Sequence, residues 1–290
     1  MALALEKSSS GSAAVGGAGL RAVDLLLVGY LGLVSIVAVI RASNEPGVRW
    51  MLLGHGLLVI FLALVTRPGL GPVGRTIREI YPLFLLPGLY AELDILNSPS
   101  TPVYDHLVQR WEMLIFGAQI SREWWQSAPS RFWSTTLHAA YLSYYLIVSA
   151  PALYFAWRGN LGAVRRFVLV VMTTFIVCYI VFIFFPVAGP YYTFPRPASW
   201  FTDNFAAKLV YQALASGSSY GAAVPSSHVA AALAASITAG RVSGRWGLVL
   251  MIPTVLLTVG VVYCQMHYAV DALAGLLIGG IVALVVGRKA

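Results

Sequence analysis

The chain has 290 residues, of which 59% are hydrophobic and only 10% charged, and its mean hydropathy is +0.78. No hydrophilic stretch exceeds about 35 residues, so this composition excludes a separate water-soluble domain and predicts an all-α, polytopic transmembrane bundle. The net charge of +8 would also suit nucleic-acid binding. The Lys and Arg residues, however, occur in small groups between apolar segments, which indicates a role in membrane topology and no nucleic-acid partner.

Residues 1–21 are rich in Ser, Gly and Ala and lack the apolar core of a signal peptide, so we predict a disordered tail. Segments long enough to cross roughly 30 Å of hydrocarbon follow. Six long ones lie at 22–40, 50–66, 133–157, 166–187, 246–264 and 267–287, and two shorter ones at 79–97 and 226–240. We predict about eight spans, with two extra helices in 22–78 and a six-helix core in 79–290. Cys178 and Cys264 are predicted to be packing residues.

The distribution of Lys and Arg tests whether segment 79–97 crosses, because cytoplasmic loops carry an excess of these residues. With eight spans, twelve of the nineteen lie on the side of both termini and seven on the other. If 79–97 does not cross, the split is nine to ten. We therefore predict cytoplasmic termini and extracytoplasmic loops at 98–132, 188–225 and 264–267.

The linker 98–132 mixes aromatic with charged residues, as an interfacial amphipathic helix does at the level of the lipid headgroups. The aromatic residues in and beside it are Tyr104, Trp111, Phe116, Trp124, Trp125, Phe132 and Trp133, and the charged ones include Asp105, Arg110, Glu112, Arg122 and Glu123. Two interpretations remain open. The segment is either a lid beside a site or an aromatic belt that only anchors the bundle.

His267 and Asp271 begin the last apolar segment. Four residues apart on a helix, they project from the same face and can meet. A carboxylate one turn inside an apolar span needs a partner, and accepting the imidazole N–H would satisfy it and fix the tautomer. The opposite ring nitrogen would then be free to act as a nucleophile.

His228 begins another apolar segment in the run Pro225-Ser226-Ser227-His228. The proline fits a helix start, and either serine can cap the free N–H groups there. A helix N-terminus favours an anion such as phosphate, and a histidine beside it can protonate a departing oxygen. The small residues from Ala230 to Ser236 allow close helix packing, which would bring His228 near His267.

The histidines of the chain allow other interpretations. His55 and His138, taken singly, are predicted to be packed structural residues. His267 and Asp271 could ligate a metal, but no Cys or Glu cluster completes such a site, so we predict none. A proton-coupled transporter is the alternative from another class, although 22–97 and 133–240 show none of the internal repetition expected for it.

Together, Pro225-Ser226-Ser227-His228 and the later run from His267 through Asp271 to Gly275 resemble two motifs of the type 2 phosphatidic acid phosphatase superfamily. The chain looks most similar to the branch of inositol phosphorylceramide and sphingomyelin synthases, over roughly 79–287. The resemblance implies that His267 is a nucleophile that forms a phosphohistidine, with Asp271 orienting it and His228 protonating the leaving group. It also implies a lipid substrate and no metal or other cofactor.

Two cationic positions of the phosphatase members are absent. Val261 occupies the place of an Arg before the second histidine, and Gly189 that of a Lys, although Arg196-Pro197 matches the end of that motif. The run from Phe185 to Tyr192 looks more like the synthase branch. The residues predicted to contact the phosphate or headgroup instead are Ser226, Ser227, Arg196, Lys208, Tyr191, Tyr192 and Tyr268. The alternative for each tyrosine is an anchor at the membrane interface, and the alternative for Arg196 is a charge that faces the lipid headgroups.

Two reactions can follow from one phosphohistidine. Transfer to a lipid alcohol would make the protein a phospholipid or sphingolipid headgroup phosphotransferase, whereas transfer to water would make it a lipid phosphate phosphatase. The two missing cations and the synthase-like run favour the alcohol acceptor.

Overall fold

The computed structural model describes residues 19–41, 45–67, 69–97 and 101–289. The tail predicted for 1–21 lies mostly outside these residues. The described part contains α-helices and no strand apart from an isolated bridge between Val187 and Ala222. The helices are α1 (Ala22–Arg41), α2 (Pro46–Val65), α3 (Pro72–Ala91), α4 (Leu93–Leu96), α5 (Asp105–Phe116), α6 (Ile120–Ser127), α7 (Arg131–Leu142), α8 (Tyr144–Trp157), α9 (Leu161–Phe184), α10 (Pro190–Thr193), α11 (Ser199–Thr202), α12 (Phe205–Gly217), α13 (Ser227–Val242), α14 (Gly244–Tyr263) and α15 (Ala269–Lys289).

Six spans among the described residues are long and apolar enough to cross a membrane. They are α1, α2, α7 and α8 together (Arg131–Trp157), α9, α14 and α15. This confirms the predicted all-α polytopic bundle. The two shorter segments form α3 and α13, which are helices but fall outside this set of six, so the count of eight spans stays a prediction.

Helix α3 begins at Pro72, seven residues before the segment predicted from hydropathy. Proline suits the first helical turn because its missing N–H needs no partner there. The polar start of α3 is stabilised by Glu79, which accepts hydrogen bonds from Arg165 of α9 and pairs with Arg21. Hydropathy misses residues 72–78 because Arg75 and Arg78 lower the mean hydropathy there.

Helices α13 and α15 pack closely enough to require glycine. A Cβ on Gly275 of α15 would lie 2.6 Å from the carbonyl oxygen of Ser226 and 3.2 Å from Cβ of Val229. The alanine-rich surface of α13 is buried along its length, as the small-residue pattern predicted. This contact brings the first turns of the two helices, and the histidines near them, into one place.

The three loops predicted to share one side of the membrane meet at one end of the bundle. Tyr104 N–H donates to the carbonyl of Pro186, which joins the linker before α5 to the end of α9. Trp125 of α6 donates to Oε1 of Gln265 in the turn between α14 and α15. The linker that contains α5 and α6 therefore packs directly on the loops around the histidines.

Candidate active site

His267 lies in the tight turn between α14 and α15. Gln265 adopts a left-handed conformation with φ of 59°, and the N–H groups of Met266 and His267 both donate to the carbonyl of Val261. The Nδ1 atom of His267 is 3.0 Å from the carbonyl oxygen of Ala223. A carbonyl only accepts hydrogen bonds, so Nδ1 carries the proton and Nε2 of the neutral ring keeps its lone pair.

Burial at this turn favours the uncharged imidazole. It lowers the pKa of His267 from its ordinary value of 6.5 to about 4. The hydrogen bond to Ala223 opposes this shift and is the smaller effect. At neutral pH the ring is therefore uncharged, which is the form that can attack as a nucleophile.

Asp271 lies in the first turn of α15, fully buried. Its Oδ2 accepts the N–H of Tyr268 at 2.8 Å and lies 3.4 Å from Nδ1 of His267, whereas Oδ1 is buried without a partner among the described residues. A carboxylate at this position of a helix caps the backbone N–H three residues earlier. Asp271 therefore caps α15 and flanks the imidazole, and the Ala223 carbonyl is the nearer acceptor for Nδ1.

His228 lies in the first turn of α13, whose N-cap is Ser226. Its ring packs against the rings of Tyr141 and Tyr144, with centroids 4.9 and 4.5 Å away, and its Nε2 is 3.2 Å from the Tyr141 hydroxyl. The centroids of the His228 and His267 rings are 6.1 Å apart. The two rings are therefore close neighbours at one end of the bundle.

Both histidines line a cavity of about 670 Å³ that extends between α3 and α8. Its lining between α3 and α8 is apolar, and Phe84 and Leu153, which border it, are 71% and 53% exposed, so the cavity opens on the outer surface between these two helices. Toward the loop end the lining becomes polar. The apolar part includes Ile80, Leu83, Phe84, Pro87, Val148, Ala152, Leu153 and Phe175, and the polar part Asp94, Tyr191, Tyr192, Ser216, Ser218 and Ser219.

The cavity lining contains no Lys or Arg among the described residues. The Arg196 guanidinium lies over the rings of Tyr191 and Tyr211 and donates to the Tyr191 hydroxyl at 2.9 Å. Lys208 pairs with Asp203 on the surface. Among the described residues, Asp94 is the only one in the lining with a carboxylate. The described residues also contain no group of three or more His, Cys, Asp or Glu that could hold a metal ion.

The predicted site residues thus fall into two groups. His228, His267 and Ser227 line the cavity with Tyr191 and Tyr192, and Asp271 stands directly behind His267. Outside the lining are Ser226, which caps α13, Arg196, Lys208 and Tyr268. The Tyr268 side chain is fully buried and points its hydroxyl to Asp105, Gln109 and Thr193.

Sequence reasoning did not assign site roles to Tyr141, Tyr144, Asp105 or the carbonyl of Ala223. The two tyrosines are spaced three residues apart in an apolar span, a pattern that core packing produces equally well. Asp105 and Glu112 had a detectable signal, because they share one face of α5 with Val108, and all three are buried. Glu112 accepts N–H groups of Ser121 and Ala269, and burial raises its pKa to about 7.

The fold and the paired histidines define a polytopic helical membrane protein with a largely apolar, histidine-lined pocket. Residues 106–285 match the model of the PAP2 superfamily, and the chain belongs to this superfamily. No curated protein and no solved structure matches the chain. This match confirms the predicted superfamily, whereas the synthase-like branch stays a prediction. Membership supports a phosphatase or phosphoryl-transfer enzyme that acts on lipids.

Proposed function

We propose that the protein is a lipid headgroup phosphotransferase that moves a phosphoryl group from a phosphodiester lipid to a lipid alcohol through a phosphohistidine on His267. One observation carries this proposal: an apolar cavity that opens toward the bilayer between α3 and α8 ends at two histidines whose rings are 6.1 Å apart. Acyl chains fit the apolar part of the cavity, and a headgroup fits its polar part near Asp94 and Tyr192.

In the first step the Nε2 lone pair of His267 attacks phosphorus. The bond between phosphorus and the oxygen of the leaving alcohol breaks, and His228 in its protonated form transfers a proton to that oxygen. The proton on Nδ1 of His267 stays on that nitrogen, hydrogen-bonded to the Ala223 carbonyl, while Asp271 stabilises the positive charge that develops on the ring. The N-terminus of α13 lies beside the phosphoryl oxygens as a partial positive charge.

In the second step an acceptor alcohol enters the position of the first product. Neutral His228 takes its proton as the oxygen attacks phosphorus, and the bond from phosphorus to Nε2 breaks. His267 returns to its neutral tautomer and His228 to its protonated form. The cycle needs only the two lipids and these side chains.

The charge of the lining favours a diester over a monoester donor. A phosphomonoester carries up to two negative charges and normally meets fixed cations, and the described lining offers none while including Asp94. A phosphodiester carries one negative charge, which helix N–H groups and tyrosine hydroxyls can stabilise. Hydrolysis by water is the second candidate, which superfamily membership itself supports.

We further propose that the site faces the extracytoplasmic side and that both termini are cytoplasmic. Support comes from the excess of Lys and Arg on the side of the termini and from the clustering of the linker, the loop before α13 and the His267 turn at one end.

The test is incubation of the purified protein with lipid phosphates and phosphodiesters, with and without ceramide or diacylglycerol, followed by mass spectrometry. A new phospholipid that requires the alcohol supports the transferase, and free phosphate from monoesters supports the phosphatase instead. His228→Ala should reduce either product about 10²- to 10⁴-fold. Unchanged turnover in His228→Ala and His267→Ala would refute phosphoryl transfer at this site and return the transporter to consideration.

A further inference from the structure

We propose that Asp105, at the start of α5, is a positioning residue that supports the His267 turn from two directions. The inference rests on the proposed function, because it assigns a role in the same reaction. It also changes the interpretation of the linker. The linker 98–132 is then neither only a lid nor only a membrane anchor. It also supports the His267 turn from behind.

The Asp105 side chain accepts three hydrogen bonds while only 6% of the residue is exposed. Its Oδ2 accepts the N–H of Ala188 at 2.8 Å, and Oδ1 accepts the N–H of Gly189 at 2.8 Å and the hydroxyl of Tyr268 at 2.9 Å. A buried carboxylate is retained only where such donors compensate its desolvation. All three donors belong to segments that flank the histidines.

The first connection to His267 runs through the loop after α9. Gly189 has φ of 90°, and a Cβ there would lie 2.8 Å from Cβ of Ala223, so the loop packs tightly against that residue. Val187 accepts the N–H of Ala223 at 2.9 Å, which extends the contact as a short bridge. Ala223 in turn supplies the carbonyl that accepts Nδ1 of His267. Asp105 thus holds the loop that places this carbonyl.

The second connection runs through Tyr268, the residue after His267. Its hydroxyl is held by Asp105, Gln109 and Thr193, while its backbone N–H donates to Asp271. The side chain is fully buried, so its position determines where the backbone beside His267 lies. The Asp105 carboxylate therefore helps to position both the acceptor of Nδ1 and the backbone beside His267.

The three donors explain why a carboxylate is needed. An Asn of the same shape has one acceptor oxygen, and its amide group would face a backbone N–H, donor against donor. Asp105→Asn should therefore loosen the Gly189 loop or the Tyr268 hydroxyl while preserving the size of the side chain. A displacement of about 1 Å at a reacting group costs on the order of 10² in rate.

The experiment compares Asp105→Asn with Glu123→Gln, whose carboxylate is exposed on the same linker. In detergent, with the best donor from the lipid panel, we expect Asp105→Asn to lower kcat roughly 10- to 100-fold with KM changed less than about threefold. Single-turnover formation of phosphohistidine should slow by the same factor. Glu123→Gln should behave as the parent protein.

A second variant protects the test against simple misfolding. Tyr268→Phe removes only the hydroxyl, so it should fold normally and lower kcat several-fold. If wild-type protein turns over and Asp105→Asn, folded by thermal melting, keeps kcat within twofold, the inference is wrong. If Asp105→Asn fails to fold and Tyr268→Phe keeps full kcat, it is also wrong. Absence of turnover in the wild type would count against the proposed function instead.

Discussion

Two pairs of a histidine and a carboxyl group are buried in the described part of the chain, and they differ in the hydrogen bonds of the imidazole. In the pair between α2 and α3, His55 Nδ1 is 2.8 Å from the Ser35 hydroxyl, and its Nε2 is 2.9 Å from Glu92. In the pair at α15, Nδ1 of His267 is shared by Ala223 at 3.0 Å and Asp271 at 3.4 Å, and Nε2 takes no hydrogen bond among the described residues. Both ring nitrogens of His55 therefore have hydrogen-bond partners, whereas Nε2 of His267 is left for a ligand.

This difference distinguishes the two pairs where burial and charge do not. Both histidines are more than nine-tenths buried, and both have an acidic partner. Saturation of both nitrogens stabilises a helix contact, since each buried polar atom needs a partner. An unsaturated nitrogen facing a cavity is tolerated where a substrate completes the set. In the described residues Nδ1 of His228 and Nε2 of His138 are both buried without a partner, and of these two rings His228 lines the cavity, so it follows the second pattern.

The largest expected contrast comes from replacing each histidine by glutamine. His267→Gln should lower turnover at least roughly 10⁴-fold, because the nucleophile is lost. His55→Gln should leave turnover within about threefold and lower the melting temperature by several degrees, since an unpaired buried group costs about 1–3 kcal/mol. Turnover assays and thermal melting in one detergent measure both. Comparable loss of turnover in the two variants would abolish the distinction.

A smaller contrast is expected from the carboxyl groups. Asp271→Asn should lower kcat about 10- to 100-fold, less than the roughly 10⁴-fold loss when the orienting Asp of a serine protease triad is replaced. The reason is that the Ala223 carbonyl, which the substitution leaves in place, still selects the tautomer with the proton on Nδ1. Glu92→Gln is the matched control, because its amide oxygen can still contact His55. A 10⁴-fold loss in Asp271→Asn would mean that Asp271 alone orients the ring.

The smallest effect concerns pH and the linker. Burial raises the pKa of Glu112 from 4.5 to about 7, so the folded state binds more protons and the free energy of unfolding falls as pH rises from about 4.5 to 7. Glu112→Gln mimics the protonated form and can keep the acceptor for the N–H groups of Ser121 and Ala269. Its melting temperature should exceed that of the parent protein by a few degrees at pH 8 and approach it at pH 5. A difference in melting temperature between the two proteins that stays the same from pH 5 to pH 8 would contradict the raised pKa of Glu112.

Much of the fold was predictable because length and hydropathy identify membrane helices in a sequence. The proximity of His228 and His267 was predictable too, since the small residues of α13 and Gly275 permit close packing. The expectation that His267 lies on the helix with Asp271 was wrong, because α15 begins at Ala269 and His267 lies in the turn before it. The contacts of Asp105 were not, because its partners at Ala188, Gly189 and Tyr268 are more than eighty residues away.

Arg196 shows the opposite difficulty. Its charge and its match to a motif suggested a phosphate ligand, whereas in the structure its guanidinium lies on tyrosine rings beside the cavity. Residue type alone does not determine which of several nearby partners a long side chain contacts.

The opening between α3 and α8 has a consequence for how this protein would meet its substrates. Phe84 and Leu153 border it on the surface that faces the acyl chains. A lipid that enters there moves sideways within one leaflet and keeps its tails in hydrocarbon throughout. The quantity that governs occupancy is then the mole fraction of the lipid in its leaflet, and two-dimensional diffusion takes the place of diffusion through water.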